Sequence, residues 1–119
     1  VGPIYGNGRF TYFNHASGYV QASRHETFSV AVLEALAAGV PVVLTESCHF
    51  PELEAAGAGL ITDGSVSSLA NSMLRFEKDA LGRADSREAA LRLAVEYNWP
   101  DVARRMLRLY RSVIEAAEG

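Results

Sequence analysis

Glu26 and Glu34 are the residues whose type and spacing are most suited to chemistry in this 119-residue chain. Glu34 interrupts a segment, residues 30–38, that is otherwise entirely apolar. A helix that is apolar on all sides is expected to be buried, and a buried carboxylate is costly unless hydrogen-bond donors partner it. The sequence leaves two sources for these donors: the adjacent hydroxyls of a ribose, or an arginine from elsewhere in the chain.

The helix that contains Glu34 is predicted to start at a ligand site. Ser29 can cap it, and Gly39 stops it after Ala38. A strand and a loop precede it, so its start lies at the carboxyl end of the sheet, where its free N–H groups can hold a diphosphate. Glu34 lies about 6 Å further along the axis, near the ribose of the same nucleotide. Glu26, in the loop, could contact the sugar beyond the diphosphate or be a solvated charge.

The histidines and the cysteine suggest no second site. His25 adjoins the first glutamate, and we interpret it as a binding or solvent-facing group. His15 and His49 are far apart in sequence, and no spacing of His, Asp and Glu indicates a metal, so none is expected. Cys48 is the only cysteine, which excludes an internal disulfide. We interpret the Ser-Cys-His run at 47–49 as structural, because no third catalytic partner can be assigned.

Strand and helix patterns alternate along the chain and predict a parallel α/β sheet with right-handed crossovers. Three or four strands are visible, whereas a complete doubly wound domain has about five or six. We therefore predict an incomplete doubly wound, Rossmann-like sheet, whose unpaired first strand would favour self-association. The predicted elements are a strand end at 1–4, a helix at 9–16, strands at 18–22, 41–45 and 59–62, a helix at 30–38, a helical turn at 52–56, and helices at 66–78, 86–96 and 101–117.

Composition narrows the partners and the compartment. The 11 basic and 14 acidic residues give a net charge of −3 without a block of either sign, which argues against nucleic acid or anionic lipid as the main partner. There is no apolar run of about 20 residues and no signal peptide, so we expect a cytoplasmic protein. Arg104, Arg108 and Arg111 share one face of the last predicted helix. We interpret this face as solvated, leaving open a peripheral contact with anionic lipid head groups or a further domain.

The stretch from 23 to 43 resembles the donor-binding signature of the retaining, two-domain (GT-B) glycosyltransferases called glycosyl transferases group 1. That signature runs Ser, one or two residues, Glu-Gly-Phe-Gly, then a helix with Glu-Ala-Met-Ala-x-Gly, then Pro-Val-Val. Here it reads Ser23-Arg24-His25-Glu26-Thr27-Phe28-Ser29 and Glu34-Ala35-Leu36-Ala37-Ala38-Gly39-Val40-Pro41-Val42-Val43. Later matches are Phe50-Pro51-Glu52-Leu53, residues 57–61, Trp99, Val102, Ala103 and Tyr110. The resemblance covers essentially the whole chain in the expected order.

This resemblance implies that residues 1–119 are the second half of a GT-B donor-binding domain, with a helical C-terminal tail at about 83–119. The acceptor-binding domain and the first half of the donor domain would lie outside this sequence. The implied reaction moves a sugar from a UDP-, GDP- or ADP-sugar to the hydroxyl of a sugar or lipid-linked acceptor, with retention and without a cofactor. Two alternatives remain open: a non-catalytic α/β association module, and a nucleotide-sugar epimerase of the same architecture.

The same resemblance assigns roles to the two glutamates and to the N-terminal loop. Glu34 would bind the ribose hydroxyls, and Glu26 would contact the transferred sugar as the catalytic residue. Pro3 and Ile4 belong to a segment that resembles the loop beside the nucleotide base. No match to the family's diphosphate-neutralising Arg and Lys occurs in this sequence, so the 119 residues alone are expected to be inactive or to bind nucleotide weakly.

Four consecutive residues complete the implied donor site. The backbone at Phe28, Ser29 and Val30 would hold the sugar hydroxyls and the diphosphate, next to Thr27. Thr27 and Ser29 stand where the family most often has glycine, which restricts close approach of the backbone to a ligand. Both replacements are small, and Ser29 remains a good helix cap.

Overall fold

The computed structural model describes residues 2–78 and 82–118, which form a three-stranded sheet flanked by helices. The elements in chain order are α1 (Gly8–His15), β1 (Tyr19–Gln21), α2 (Val30–Ala37), β2 (Val42–Thr45), a 3₁₀ turn (Glu46–Cys48), α3 (Glu52–Ala55), β3 (Gly59–Thr62), α4 (Val66–Lys78), α5 (Gly82–Val95) and α6 (Trp99–Glu118).

The three strands are parallel and lie in the order β1-β2-β3, with Val42 opposite Tyr19 on one side and Gly59 on the other. Side chains alternate between the two faces of the sheet. One face of β2 packs in a core with α2 and α5, and the other face meets Phe76 of α4 around a cavity that Val43 also lines. Helices therefore cover both faces, which confirms the predicted doubly wound arrangement with its helical C-terminal part.

The core lies between the sheet, α2 and α5. Leu36, Leu44 and Leu53 are fully buried there. Two residues of α5, Ala90 and Leu93, are buried in the same cluster. The first helix of the predicted tail is therefore part of the core, and it holds α2 against the sheet.

Two glycines are required by the geometry around α2 and β2. Gly39, with φ +70°, ends α2 in the left-handed conformation, as the sequence predicts. At Gly59, an added Cβ would lie 2.0 Å from the carbonyl oxygen of Val42, so β3 can pair with β2 only because this position has no side chain.

The structure differs from the sequence-based elements mainly at their boundaries. The strand predicted at residues 1–4 is wrong for Gly2 to Ile4, which lie in no strand and pair with no other, while Val1 lies outside the described residues. Helix α5 begins at Gly82, four residues earlier than predicted. Helix α6 begins at Trp99 and includes Pro100 in its first turn, where proline is tolerated. In the described ranges, no helix is both long and apolar enough to cross a membrane.

Candidate functional site

The start of α2 is the centre of the candidate site. Ser29 is extended, with φ −98° and ψ 108°, and its Oγ accepts a hydrogen bond from the N–H of Val32 at 3.3 Å. The predicted cap is therefore confirmed. Val30, the first helical residue, is 60% exposed while Val32 is buried, so one side of the first turn faces solvent at the carboxyl ends of β1 and β2.

Gln21, the last residue of β1, organises the loop before α2. Its amide nitrogen donates to Glu26 Oε2 at 3.1 Å and to Ser23 Oγ at 3.3 Å. Its amide oxygen accepts from Ser29 Oγ at 2.8 Å. The N–H of Phe28 donates to the other oxygen of Glu26 at 3.3 Å. Both oxygens of Glu26 are thus held. Sequence reasoning missed Gln21; the available signal was a polar side chain ending a short strand.

Contacts with β2 and with the 3₁₀ turn also hold the loop before α2 in place. Thr45 Oγ1 donates to the carbonyl oxygen of Ser23 at 2.6 Å, and the N–H of Glu26 donates to the carbonyl oxygen of Ser47 at 3.3 Å. Cys48 is buried, with its Sγ 3.7 Å from Thr45 Oγ1, which agrees with a structural role for the run at 47–49. An open cleft of about 450 Å³ borders this loop, and it is lined by His25, Glu26, Thr27, Ser47 and His49.

Glu34 forms an ion pair with Arg9 of α1. The distance between Arg9 Nη2 and Glu34 Oε1 is 2.8 Å, and the two side chains are 42% and 23% exposed. The sequence left two possible donors for the Glu34 carboxylate, a ribose or an arginine, and the structure contains the arginine. The expectation that α2 is buried all round is wrong, since Val30 and Ala37 are exposed and only one face, with Ala35 and Leu36, is sealed. α1 lies against α2 and supplies this partner.

Arg9 also contacts the N-terminal loop. Its Nη1 donates to the carbonyl oxygen of Gly6 at 3.4 Å, and its Nε is buried with no hydrogen-bond partner among the described groups. Pro3 and Ile4, the predicted base-side residues, are exposed just before this point. The loop that carries them is therefore tied through Arg9 to Glu34. Sequence reasoning did not single out Arg9, because nothing local in the chain connects it to α2.

An aromatic cluster supports the other side of the loop. The ring of Tyr97, which follows α5, lies 6.2 Å from that of Phe28 and 5.3 Å, edge-on, from that of Phe50. The cavity between them measures about 150 Å³ and extends to Ser29. Burial, followed by the charge of Glu52, raises the pKa of Tyr97 above 10.0. Its hydroxyl therefore stays neutral. Through the ring contacts of Tyr97, the helical C-terminal part of the chain packs against the loop of the candidate site.

Tyr19, on β1, is a second neutral hydroxyl close to the site. Burial and then the nearby Cys48 and Glu26 raise its pKa above 10.0. The protonated hydroxyl donates to the amide oxygen of Gln21 at 3.1 Å. In the part of the chain that the structure describes, no group of three or more His, Cys, Asp and Glu residues could hold a metal ion, and the expectation that no metal is needed stays a prediction.

Comparison with known proteins shows which class this arrangement belongs to. The family model described as glycosyl transferases group 1 matches residues 10–93, most of the chain. The chain belongs to this family. A solved structure, sucrose-phosphate synthase from Thermosynechococcus elongatus, superposes with a TM-score of 0.64 at 27% identity, over 88% of this chain and 27% of that one.

Curated relatives agree with the family. D-inositol 3-phosphate glycosyltransferase 1 of Catenulispora acidiphila is 31% identical over 91% of this chain and 26% of its own length. D-inositol 3-phosphate glycosyltransferase of Corynebacterium urealyticum is 33% identical over 76% and 22%. O-antigen chain mannosyltransferase B of Escherichia coli is 28% identical over 81% and 25%. The chain spans about a quarter of the length of the curated relatives it matches.

Proposed function

We propose that this chain forms part of the donor site of an enzyme that moves a sugar from a nucleoside-diphosphate sugar to an acceptor hydroxyl. One observation carries the proposal: Glu26, in the loop before α2, and Glu34, on α2, come before and after the first turn of this helix, which follows the carboxyl end of a parallel strand. Membership of a glycosyltransferase family supports it independently. The intact enzyme's activity, its retention of anomeric configuration and its acceptor are all part of the proposal.

The diphosphate would bind at the first turn of α2. The N–H of Val32 is already used by the Ser29 cap, and that of Phe28 by Glu26. This leaves the N–H groups of Val30 and Ala31 to face an anion at the positive end of the helix dipole. Backbone donors at that place would also stabilise the diphosphate as it departs, because they point at the charge that develops in the transition state.

The two glutamates would bind the two ends of the donor. Glu34 would accept hydrogen bonds from the ribose hydroxyls, about one helical turn from the diphosphate. Glu26 would contact the transferred sugar, with its carboxylate held by Gln21 and by the backbone of Phe28. The site would act mainly by positioning the donor, since fixed geometry removes much of the entropic cost of the reaction. Thr27 would lie beside the sugar, and Pro3 and Ile4 beside the base.

Other parts of the proposal concern partners and place. The acceptor, a sugar or a lipid-linked sugar, would bind to a domain outside these 119 residues. We propose contact with a further domain, a membrane surface or a second chain through the exposed apolar face of α6 and through the outer edge of β1, which no strand among the described residues pairs with. We propose a cytoplasmic location, no nucleic-acid partner and no cofactor.

Titration of the chain with UDP, GDP and ADP, followed by calorimetry or ligand-observed NMR, tests the donor site. We expect weak binding of one of the three. Glu34→Ala should weaken it by about tenfold or more, since hydrogen bonds to a charged group contribute on the order of 1.5–3 kcal/mol. Glu115→Ala, which removes an exposed carboxylate of α6, is the matched control. No binding at millimolar nucleotide, or binding unchanged in Glu34→Ala, would contradict the proposal and favour an association module.

The 119 residues alone should not catalyse glycosyl transfer. They span only about a quarter of the relatives' length. The residues that bind the acceptor and the cations that neutralise the diphosphate would have to come from the rest of the protein. The measurement is release of nucleoside diphosphate and formation of product with a simple sugar acceptor. Robust transfer by this chain would show that the site is more complete than we propose.

A further inference from the structure

We propose that Arg9 is a positioning residue and counter-ion for Glu34, and that its charge allows this carboxylate to lie beside a bound diphosphate. The inference rests on the proposed function. It concerns a residue that the family signature does not include, and it follows from the contacts of the guanidinium group.

The guanidinium group of Arg9 joins two segments that both border the proposed nucleoside site. It contacts Glu34 Oε1 on α2 at 2.8 Å and the carbonyl oxygen of Gly6, in the loop after Ile4, at 3.4 Å. Its Cζ lies 4.9 Å from the centre of the Phe10 ring, a cation–π distance. Three contacts therefore fix the orientation of the group, and through it the orientation of Glu34.

The contact between Arg9 and Glu34 can be explained by the charges at the proposed site. Glu34 lies about 6 Å along the helix from the residues whose N–H groups would hold the diphosphate. A carboxylate on the next turn of the same helix repels a bound diphosphate, and the repulsion is screened less in a partly buried site than in water. The other ion pairs in the described chain, Arg92–Glu88 and Arg104–Asp101, lie on α5 and α6. Arg9 is therefore the cation that the described structure pairs with this carboxylate.

The pair is poorly explained as a stabilising contact. Both partners are partly exposed, at 42% and 23%, and such ion pairs add little to folding stability. Arg9 Nε is in addition buried without a partner, which is unfavourable. The arrangement does, however, leave Glu34 Oε2 without a hydrogen bond among the described residues. That oxygen can accept a ribose hydroxyl while Oε1 stays with Arg9.

The test compares Arg9→Gln with Arg9→Lys, and uses Arg111→Gln on the exposed face of α6 as the matched control. Each variant is titrated with the nucleoside diphosphate that the wild type binds and with the corresponding uncharged nucleoside, by ligand-observed NMR. Arg9→Gln should weaken the diphosphate by about tenfold and the nucleoside by about threefold or less. Arg9→Lys should recover most of the diphosphate affinity, Arg111→Gln should change nothing, and all three should keep the wild-type Tm.

Three results would overturn the inference. Unchanged or tighter diphosphate binding in Arg9→Gln would show that the guanidinium group is irrelevant or competes with the ligand. An equal loss for diphosphate and nucleoside that lysine does not restore, with a lowered Tm, would show a structural role. A wild type that binds no nucleotide contradicts the proposed function itself, and the inference with it. The first two results overturn the inference alone, because the wild type still binds nucleotide in both.

Discussion

Helices α2 and α6 are both rich in apolar residues, yet the structure treats them in opposite ways. In α2, Ala35 and Leu36 are completely buried, and Leu36 packs in the core between the sheet and α5. In α6, the apolar residues lie on one side of the helix, but Leu109, Val113 and Ile114 are each more than half exposed. The burial of an apolar helix therefore follows from the elements that surround it, and composition alone does not decide it.

The surroundings of the charged residues also differ between the two helices, because α2 is packed between other elements and α6 is exposed. On α6, Arg104, Arg108 and Arg111 lie on the exposed face opposite the apolar residues, and the partner of Arg104, Asp101, belongs to the same helix. On α2 the single carboxylate has apolar neighbours along the helix and contacts a cation from another element. A charge in an apolar helix is thus a stronger indication of a site than a row of charges on an amphipathic one.

The largest expected effect distinguishes the two helices by stability. Leu36→Ala should lower the free energy of unfolding by about 2–5 kcal/mol, because it leaves a cavity in a fully buried place. Leu109→Ala, at a position 54% exposed, should cost less than about 1 kcal/mol. Urea denaturation measures both. Equal losses would show that the apolar face of α6 is covered in solution.

A smaller effect is expected at the start of α2. Ser29→Ala removes the acceptor of the Val32 N–H and should cost about 0.5–2 kcal/mol. It also removes a donor to Gln21, so the backbone amide signals of residues 26–29 should shift in NMR spectra. Ser112→Ala is the control, since this exposed hydroxyl only donates to the carbonyl of Leu109 within α6. A cost at Ser112 as large as at Ser29 would remove the distinction between the two helices.

The smallest effect concerns pH. Hydrogen bonds from Asn98 and then Arg104 hold the pKa of Asp101, in the first turn of α6, below its ordinary 3.8. A lowered pKa in the folded state stabilises the fold above the unfolded value, and this contribution is lost as pH falls through the folded value. Asp101→Asn should therefore cost a little stability near neutral pH and nothing in strong acid. The cost of Ser29→Ala should not change with pH, because that cap is uncharged. Thermal melts from strong acid to neutral pH measure the stability of both variants.

Elements with local signals could be predicted from the sequence. The apolar run of β2, the Ser29 cap and Gly39 specify the core of the βαβ unit, because caps, stop signals and continuous apolar strands depend on neighbouring residues only. The sequence pattern places the start of α5 four residues too late and does not indicate that this helix belongs to the core. A helix that packs through small residues such as Ala89 and Ala90 carries a weak periodic pattern.

For the site, the sequence predicted which glutamates flank the start of α2 but not their partners. Arg9 and Gln21 reach Glu34 and Glu26 from other elements, and Tyr97 reaches Phe28 from beyond α5. Contacts of this kind depend on how distant segments pack, and no spacing rule expresses them. The roles of the glutamates toward a nucleotide sugar remain a prediction.

The amide of Gln21 has a consequence for how this sequence can change in evolution. Its nitrogen donates to Glu26 and its oxygen accepts from Ser29, so the side chain is useful in one orientation only. A relative with glycine at position 29 would lose one of the two donors to the amide oxygen and keep only the Tyr19 hydroxyl, so glutamine would be less strongly required at the end of β1. Positions 21 and 29 should therefore covary, with glutamine retained where serine caps the helix and lost where glycine replaces it.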